Sequence, residues 1–145
     1  MNGRMILLPV MVQVLLTMIV YAMLNAAKMR ASRRGEVDAA RRGLHDDAWP
    51  DNVIRINNNI RNQFEAPVLF YVLSFTLLAV DAVTVASLLF AWLFVASRVF
   101  HAYVHIANHL LLRRRSFMFS CLILAAMAAI AAAALVGSLM SGSPT

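Results

Sequence analysis

The sequence predicts an all-α integral membrane protein, a single domain over residues 1–145 folded as a bundle of four transmembrane helices. Two observations carry this. Hydrophobic residues make up 61% of the chain and charged residues 14%, against about a quarter charged in soluble domains. A soluble chain of this size has no core large enough to hide so much apolar surface. The apolar residues also come in runs of membrane-crossing length separated by charged segments, as a chain with lipid at its sides and water at its ends requires.

The first span is read at residues 5–24, about 30 Å of helix, which matches the hydrocarbon thickness. Arg4 before it and Leu24-Asn25-Ala26 after it loosely resemble a signal peptide, but the apolar stretch exceeds the about 7–15 residues of a signal core. It is read as a span. Residues 28–57 hold most of the charge: Lys28 and arginines at 30, 33, 34, 41, 42 and 55 alternate with Glu36, Asp38, Asp46, Asp47 and Asp51. Trp49-Pro50 breaks any helix there, so this is an aqueous loop. Over residues 66–97 the only charged residue is Asp81. One helix of that length would run about 48 Å, too long for a bilayer. A hairpin turning near Asp81 resolves the mismatch if each arm borrows polar residues from its flank, giving spans at 59–80 and 83–109. The same arithmetic sets Arg61, Asn62, Glu65, Arg98 and His101 together at one membrane face. The fourth span, 117–140, is rich in alanine and carries Gly137 and Ser138; such small residues let helices approach closely in lipid.

The loop at 28–57 and the turn expected at Arg113-Arg114-Arg115 fall on the same side, and their basic excess orients that side to the cytoplasm. The formal net charge of +6 therefore reads as attraction to anionic lipid headgroups and not to nucleic acid. Arginine outnumbers lysine twelve to one and alanine is abundant, a bias of high-GC bacterial genomes that would place the chain in a bacterial inner membrane. Cys121 is the only cysteine, so no intrachain disulfide can form.

The polar residues at membrane depth fall on stripes. Asn58, Asn62 and Glu65 stand at i, i+4 and i+7, with Arg61 in reach of Glu65 at i+4. Arg98, His101 and His105 stand at i, i+3 and i+7, with Asn108 and His109 beyond. Ionisable groups in a membrane are costly and face partners or cavities. One reading is a self-satisfied network that ties helices together. Two arginines, several amides and up to two histidines around one carboxylate favour instead a site for a polar, partly anionic ligand, because guanidinium groups suit carboxylates. His101, His105 and His109 at four-residue steps raise a metal site, but further ligands are wanting and the nearby arginines would repel a cation; none is predicted. Arg113 to Arg115 read foremost as a topology anchor.

At these residues the chain resembles the MAPEG family, membrane-associated proteins in eicosanoid and glutathione metabolism. Arg61-Asn62-Gln63-Phe64-Glu65, with Pro67 following, is similar to the family's R-N-x-x-E signature, and Arg98-Val99-Phe100-His101 to its R-x-x-H segment. The family's catalytic arginine falls on or beside Arg114. The resemblance covers about residue 52 to the end, together with the four-span pattern. It departs in three places: proline follows the glutamate more closely, Asn58 stands where relatives carry arginine, and His105 where they often carry tyrosine.

The resemblance implies a homotrimer that binds glutathione as co-substrate between subunits near the cytoplasmic face. Arg61 and Arg98 would hold carboxylates, Asn62 and Glu65 the peptide's polar groups, with Glu65 on the glutamyl amine. His101 would donate a further hydrogen bond beside His105. Arg114 would stabilise the thiolate. The implied activity is that of a transferase or peroxidase acting on lipophilic electrophiles; the alternative is a non-catalytic, lipid-binding member. A small transporter or channel is less well supported, because the polar groups gather at one face.

The orientation is testable by cysteine labelling in a Cys121→Ala background. A cysteine at Ser32 should resist an impermeant reagent applied to intact cells and one at Ser143 should react. The opposite pattern would invert the topology.

Overall fold

The structure is a computed structural model that describes residues 2–140 and 142. A short 3₁₀ turn, Gly3–Ile6, is capped by the Asn2 side chain, which accepts from the Arg4 N–H at 3.0 Å. It leads into α1, Leu7–Arg33. Pro9 falls in the first turn of α1, where its missing N–H costs nothing. At 27 residues, α1 reaches about 40 Å, so its basic last turns project beyond the hydrocarbon layer. Gly35, at φ 68°, turns the chain out of it.

Residues 34–50 form a compact loop. The Trp49 indole N–H donates to the Arg42 carbonyl at 3.2 Å, and the Asp38 N–H donates to the Ala48 carbonyl at 3.1 Å. Arg41 and Asp47 pair at 2.8 Å; their hydrogen bond draws the Asp47 carboxyl below its ordinary pKa and raises that of Arg41.

The second predicted span is not one helix. It is divided into α2, Asp51–Gln63, and α3, Ala66–Ala79. Pro67 is the cause: in a continuous helix its ring would strike the Gln63 carbonyl and no N–H would be available to bond it. Phe64 and Glu65 absorb the break, Glu65 with φ −101° and ψ −97°. Because α3 has only 14 residues, about 21 Å, three helices among the described residues are long and apolar enough to cross a membrane, covering Gly3–Arg33, Val85–Ile106 and Leu110–Met140.

Asp81, at φ 50°, makes the turn after α3. Helix α4, Val85–Ile106, opens on a capping box in which the Thr84 hydroxyl accepts from the Ser87 N–H and the Ser87 hydroxyl accepts from the Thr84 N–H. The turn into α5, Leu110–Met140, is made by residues 107–109 with Asn108 at φ 62°. Arg113 to Arg115 therefore lie in the early turns of α5 and not in a loop, and His109 lies in the turn and not in the third span.

Helices α4 and α5 pack along each other, and α1 lies against α2. One core joins Ile6, Val10, Phe70, Phe94 and Met127, with the Phe70 and Phe94 rings stacked at 4.6 Å. A second joins Val20, Leu24 and Ala27 to Val53, Ile56 and Ile60 across α1 and α2. The outer faces are as apolar as the core. Leu15, Met18, Leu89 and Leu122 are each more than half exposed, the surface of a protein whose solvent is lipid.

A chain of amides crosses this apolar interior. The Gln13 amide donates to Gln63 Oε1 at 3.0 Å, the Gln63 amide to Asn59 Oδ1 at 2.9 Å, and the Asn59 amide to the Ala102 carbonyl at 3.1 Å. All three side chains are buried, and together they tie the C-terminal end of α2 to α1 and α4. Gln63→Leu should lower detergent thermal stability by about 1–3 kcal/mol, because it strands both Gln13 and Asn59. Gln13→Leu strands only the Gln63 carbonyl oxygen and should cost less. The double variant should fall short of the sum of the two.

Candidate functional site

The break after α2 places polar residues where α4 and α5 meet. Asn62 lies in the last turn of α2 and Glu65 in the link. Helix α4 contributes Arg98, His101 and His105, spaced so that all three point inward; they are 0%, 1% and 1% exposed. Helix α5 contributes Arg113 and Arg114 from its first turns and Phe117 beneath them. Asn62, Glu65, His101, Arg113 and Arg114 line one open cleft of ≈ 480 Å³, walled on its apolar side by Leu110 and Phe117.

Hydrogen bonds fix the floor of this cleft. The Arg98 Nη2 donates to the Asn62 carbonyl at 3.1 Å, joining α4 to the end of α2. His101 Nδ1 lies 3.0 Å from the Ser116 hydroxyl, which itself donates to the Arg113 carbonyl at 3.0 Å. Below it the Ser97 and Ser120 hydroxyls meet at 2.8 Å. Other polar atoms remain unmatched: Arg98 Nε and Nη1, His101 Nε2 and both nitrogens of His105 are buried with no hydrogen-bond partner among the described residues. Buried polar groups are ordinarily hydrogen-bonded, and such a concentration of exceptions marks a place where water or a ligand completes the set.

The electrostatic balance favours an anion. Two guanidinium groups and one carboxylate face the cleft, with the Arg98 guanidinium behind them. The start of α5 adds the positive end of a helix dipole on the same side. Arginines in the first turns of a helix oppose that dipole and weaken the helix slightly, so an anion seated here relieves both.

The residues singled out in the sequence separate into groups. Asn62, Glu65, His101 and Arg114 line the cleft, and Arg98 backs it. His105 lies under His101, ring against ring edge at 5.6 Å, and does not reach the cleft surface. Arg61 points elsewhere: it is exposed and pairs with Asp46 of the loop at 2.6 Å. The Arg61–Glu65 pair expected from i, i+4 spacing is not made, because α2 ends at Gln63 and Glu65 leaves the helical register. For the same reason the Asn58, Asn62 and Glu65 stripe does not continue as one face. Sequence reasoning held Arg113 only within the choice on or beside Arg114, and it missed Ser116 and Phe117. Gln13 carried a visible signal, an amide within the first apolar stretch.

A model of the MAPEG family matches residues 6–133 of the chain. No curated protein and no solved structure gives a significant match.

The geometry predicts which positions meet water. In a Cys121→Ala background, cysteines at 65 and 114 should react readily with a water-soluble maleimide, and a cysteine at 105 should not. Equal labelling of all three would mean that the cleft is not bounded as described.

Proposed function

The chain belongs to the MAPEG family, and from that membership together with the cleft we propose a glutathione-dependent membrane enzyme of the transferase or peroxidase type. Three apolar helices of spanning length and the family make the chain an integral membrane protein, one that meets lipid directly. Its co-substrates are read as glutathione from the aqueous side and a lipophilic electrophile from the bilayer.

One observation carries the reading: a carboxylate and two guanidinium groups line one cleft whose floor holds unpartnered donors. Glutathione carries two carboxylates, one ammonium group and peptide amides, and the lining matches them in kind. A cavity of ≈ 480 Å³ falls within the size range of small-molecule sites. In this assignment Glu65 takes the ammonium group and Asn62 the peptide amides. Arg113 and Arg98 take carboxylates, for which Arg98 has Nε and Nη1 available. His101 offers Nε2 as an acceptor for a peptide N–H, because Ser116 gives its own proton to the Arg113 carbonyl and so accepts from Nδ1. His105 backs His101, and Arg61 joins only if it releases Asp46.

When bound, glutathione supplies the thiol. Arg114 favours its ionised form, because a cation beside a thiol lowers the pKa and enlarges the reactive fraction. Phe117 and Leu110 turn the same cleft toward apolar surface, where a lipophilic acceptor can approach. The family further suggests a homotrimer, which the small-residue face of α5 suits.

Glutathione binding to the detergent-solubilised protein tests the proposal. Glu65→Gln and Arg114→Ala should each weaken binding about tenfold or more, or about 1.4 kcal/mol, with thermal stability close to wild type, because both groups are exposed in the described chain. Arg61→Ala should weaken it less. Arg114→Ala should also lose the ultraviolet absorbance of bound thiolate. A wild-type protein that does not bind glutathione would sink the assignment and favour a lipid-binding, non-catalytic member.

A further inference from the structure

A second cavity, of ≈ 240 Å³, lies between the last turns of α1, the loop and α2. Lys28, Arg42 and His45 line it, with the Trp49 ring as part of its wall. Lys28 Nζ lies 5.1 Å above that ring, and the Trp49 N–H is held by the Arg42 carbonyl, so the aromatic plate fixes one cation and the loop segment that carries the other. The acidic side chains nearby are already engaged. Arg34 takes Glu36 and Arg41 takes Asp47. Asp46, which also lines the cavity, is held by Arg61 at 2.6 Å and by the Asn57 amide at 3.4 Å. Neither Lys28 nor Arg42 makes a salt bridge among the described residues. The cavity therefore presents two cations without a carboxylate partner and an imidazole, beside an Asp46 carboxylate already held by Arg61 and Asn57.

We propose that this cavity binds a phosphate-bearing anion, either the headgroup of an anionic phospholipid or free phosphate. Phosphate oxygens accept charge-assisted hydrogen bonds from lysine and arginine together, and His45 adds a third nitrogen. Depth favours the lipid. Lys28 lies four residues past Leu24, where the first apolar stretch ends, or about 6 Å along the helix. That is the level of the headgroup layer, which adds about 5–7 Å to each side of the hydrocarbon. Trp49 is a residue type that settles at that level. The rim also carries Leu44, 92% exposed, as suits a ligand whose phosphate adjoins acyl chains.

Thermal stability of the purified full chain in neutral detergent, titrated with phosphatidylglycerol, phosphatidylcholine or inorganic phosphate, tests the site. Wild type should be stabilised by phosphatidylglycerol over phosphatidylcholine. Arg42→Gln and Lys28→Gln should each raise the half-saturating phosphatidylglycerol concentration about tenfold or more. Arg30→Gln removes a charge at the same depth but outside the cavity, and should shift it by no more than the about fivefold expected of any one basic residue at an anionic surface. Protection by phosphatidylglycerol without inorganic phosphate would identify the headgroup, and protection by inorganic phosphate would identify the free ion. Absence of protection by either, or equal losses in Arg30→Gln and Arg42→Gln, would overturn the proposal. Arg42 is an exposed loop residue, so its variant keeps the test valid even if Lys28→Gln fails to fold.

Discussion

The missing N–H of Pro67 sets the arrangement of everything around it. A helix running without interruption from Asp51 would carry Glu65 on the same winding as Arg61, and the two would neutralise each other. Proline forbids that winding at the Gln63 carbonyl. The chain breaks over Phe64 and Glu65, Arg61 turns to Asp46, and Glu65 faces Asn62, His101 and the start of α5. The amide chain from Gln13 through Gln63 to Asn59 then anchors the broken end, so that a kink in lipid does not become a loose hinge.

Two kinds of buried polarity follow, and they differ in how completely they are satisfied. The amide chain is closed: its donors and acceptors match one another except for Gln13 Oε1. The Arg98, His101 and His105 group is open, with five nitrogen atoms left unmatched. A buried charge without a partner costs several kcal/mol, so a network whose purpose was to fasten helices would have been expected to close as the first one does. This contrast is what separates a fastening from a receptor, and it supports reading the cleft as a place for a ligand.

Much of this was legible in the sequence, for reasons tied to particular residues. The apolar runs revealed α1, α4 and α5 because helix length in a bilayer is fixed by thickness. Asp81 revealed the hairpin because a lone charge in an apolar stretch belongs at a turn. The inward stripe of Arg98, His101 and His105 was legible because α4 is uninterrupted there, so spacing translates into direction. Spacing failed at Arg61 and Glu65, since a helical rule cannot cross a helix break, and the effect of Pro67 on its own i−4 carbonyl was not carried through. Arg113 could not be told from Arg114 and Arg115, because three consecutive arginines serve equally well as a topology anchor. The Arg61–Asp46 pair depended on how a loop of irregular backbone folds back, which no periodicity encodes.

The shortness of α3 has a consequence for the surrounding lipid. Its 14 residues offer about 21 Å where the hydrocarbon layer is about 30 Å. A bilayer that covers α3 and no more must thin beside it, at a cost of a fraction of a kcal/mol per Å of mismatch, or else admit the polar end of α2 below the headgroup plane. In either case the boundary between water and hydrocarbon dips at Glu65, beside the cleft. An amphiphile diffusing in the leaflet would meet water, cations and an apolar wall at one depth, without having to leave the membrane to reach them.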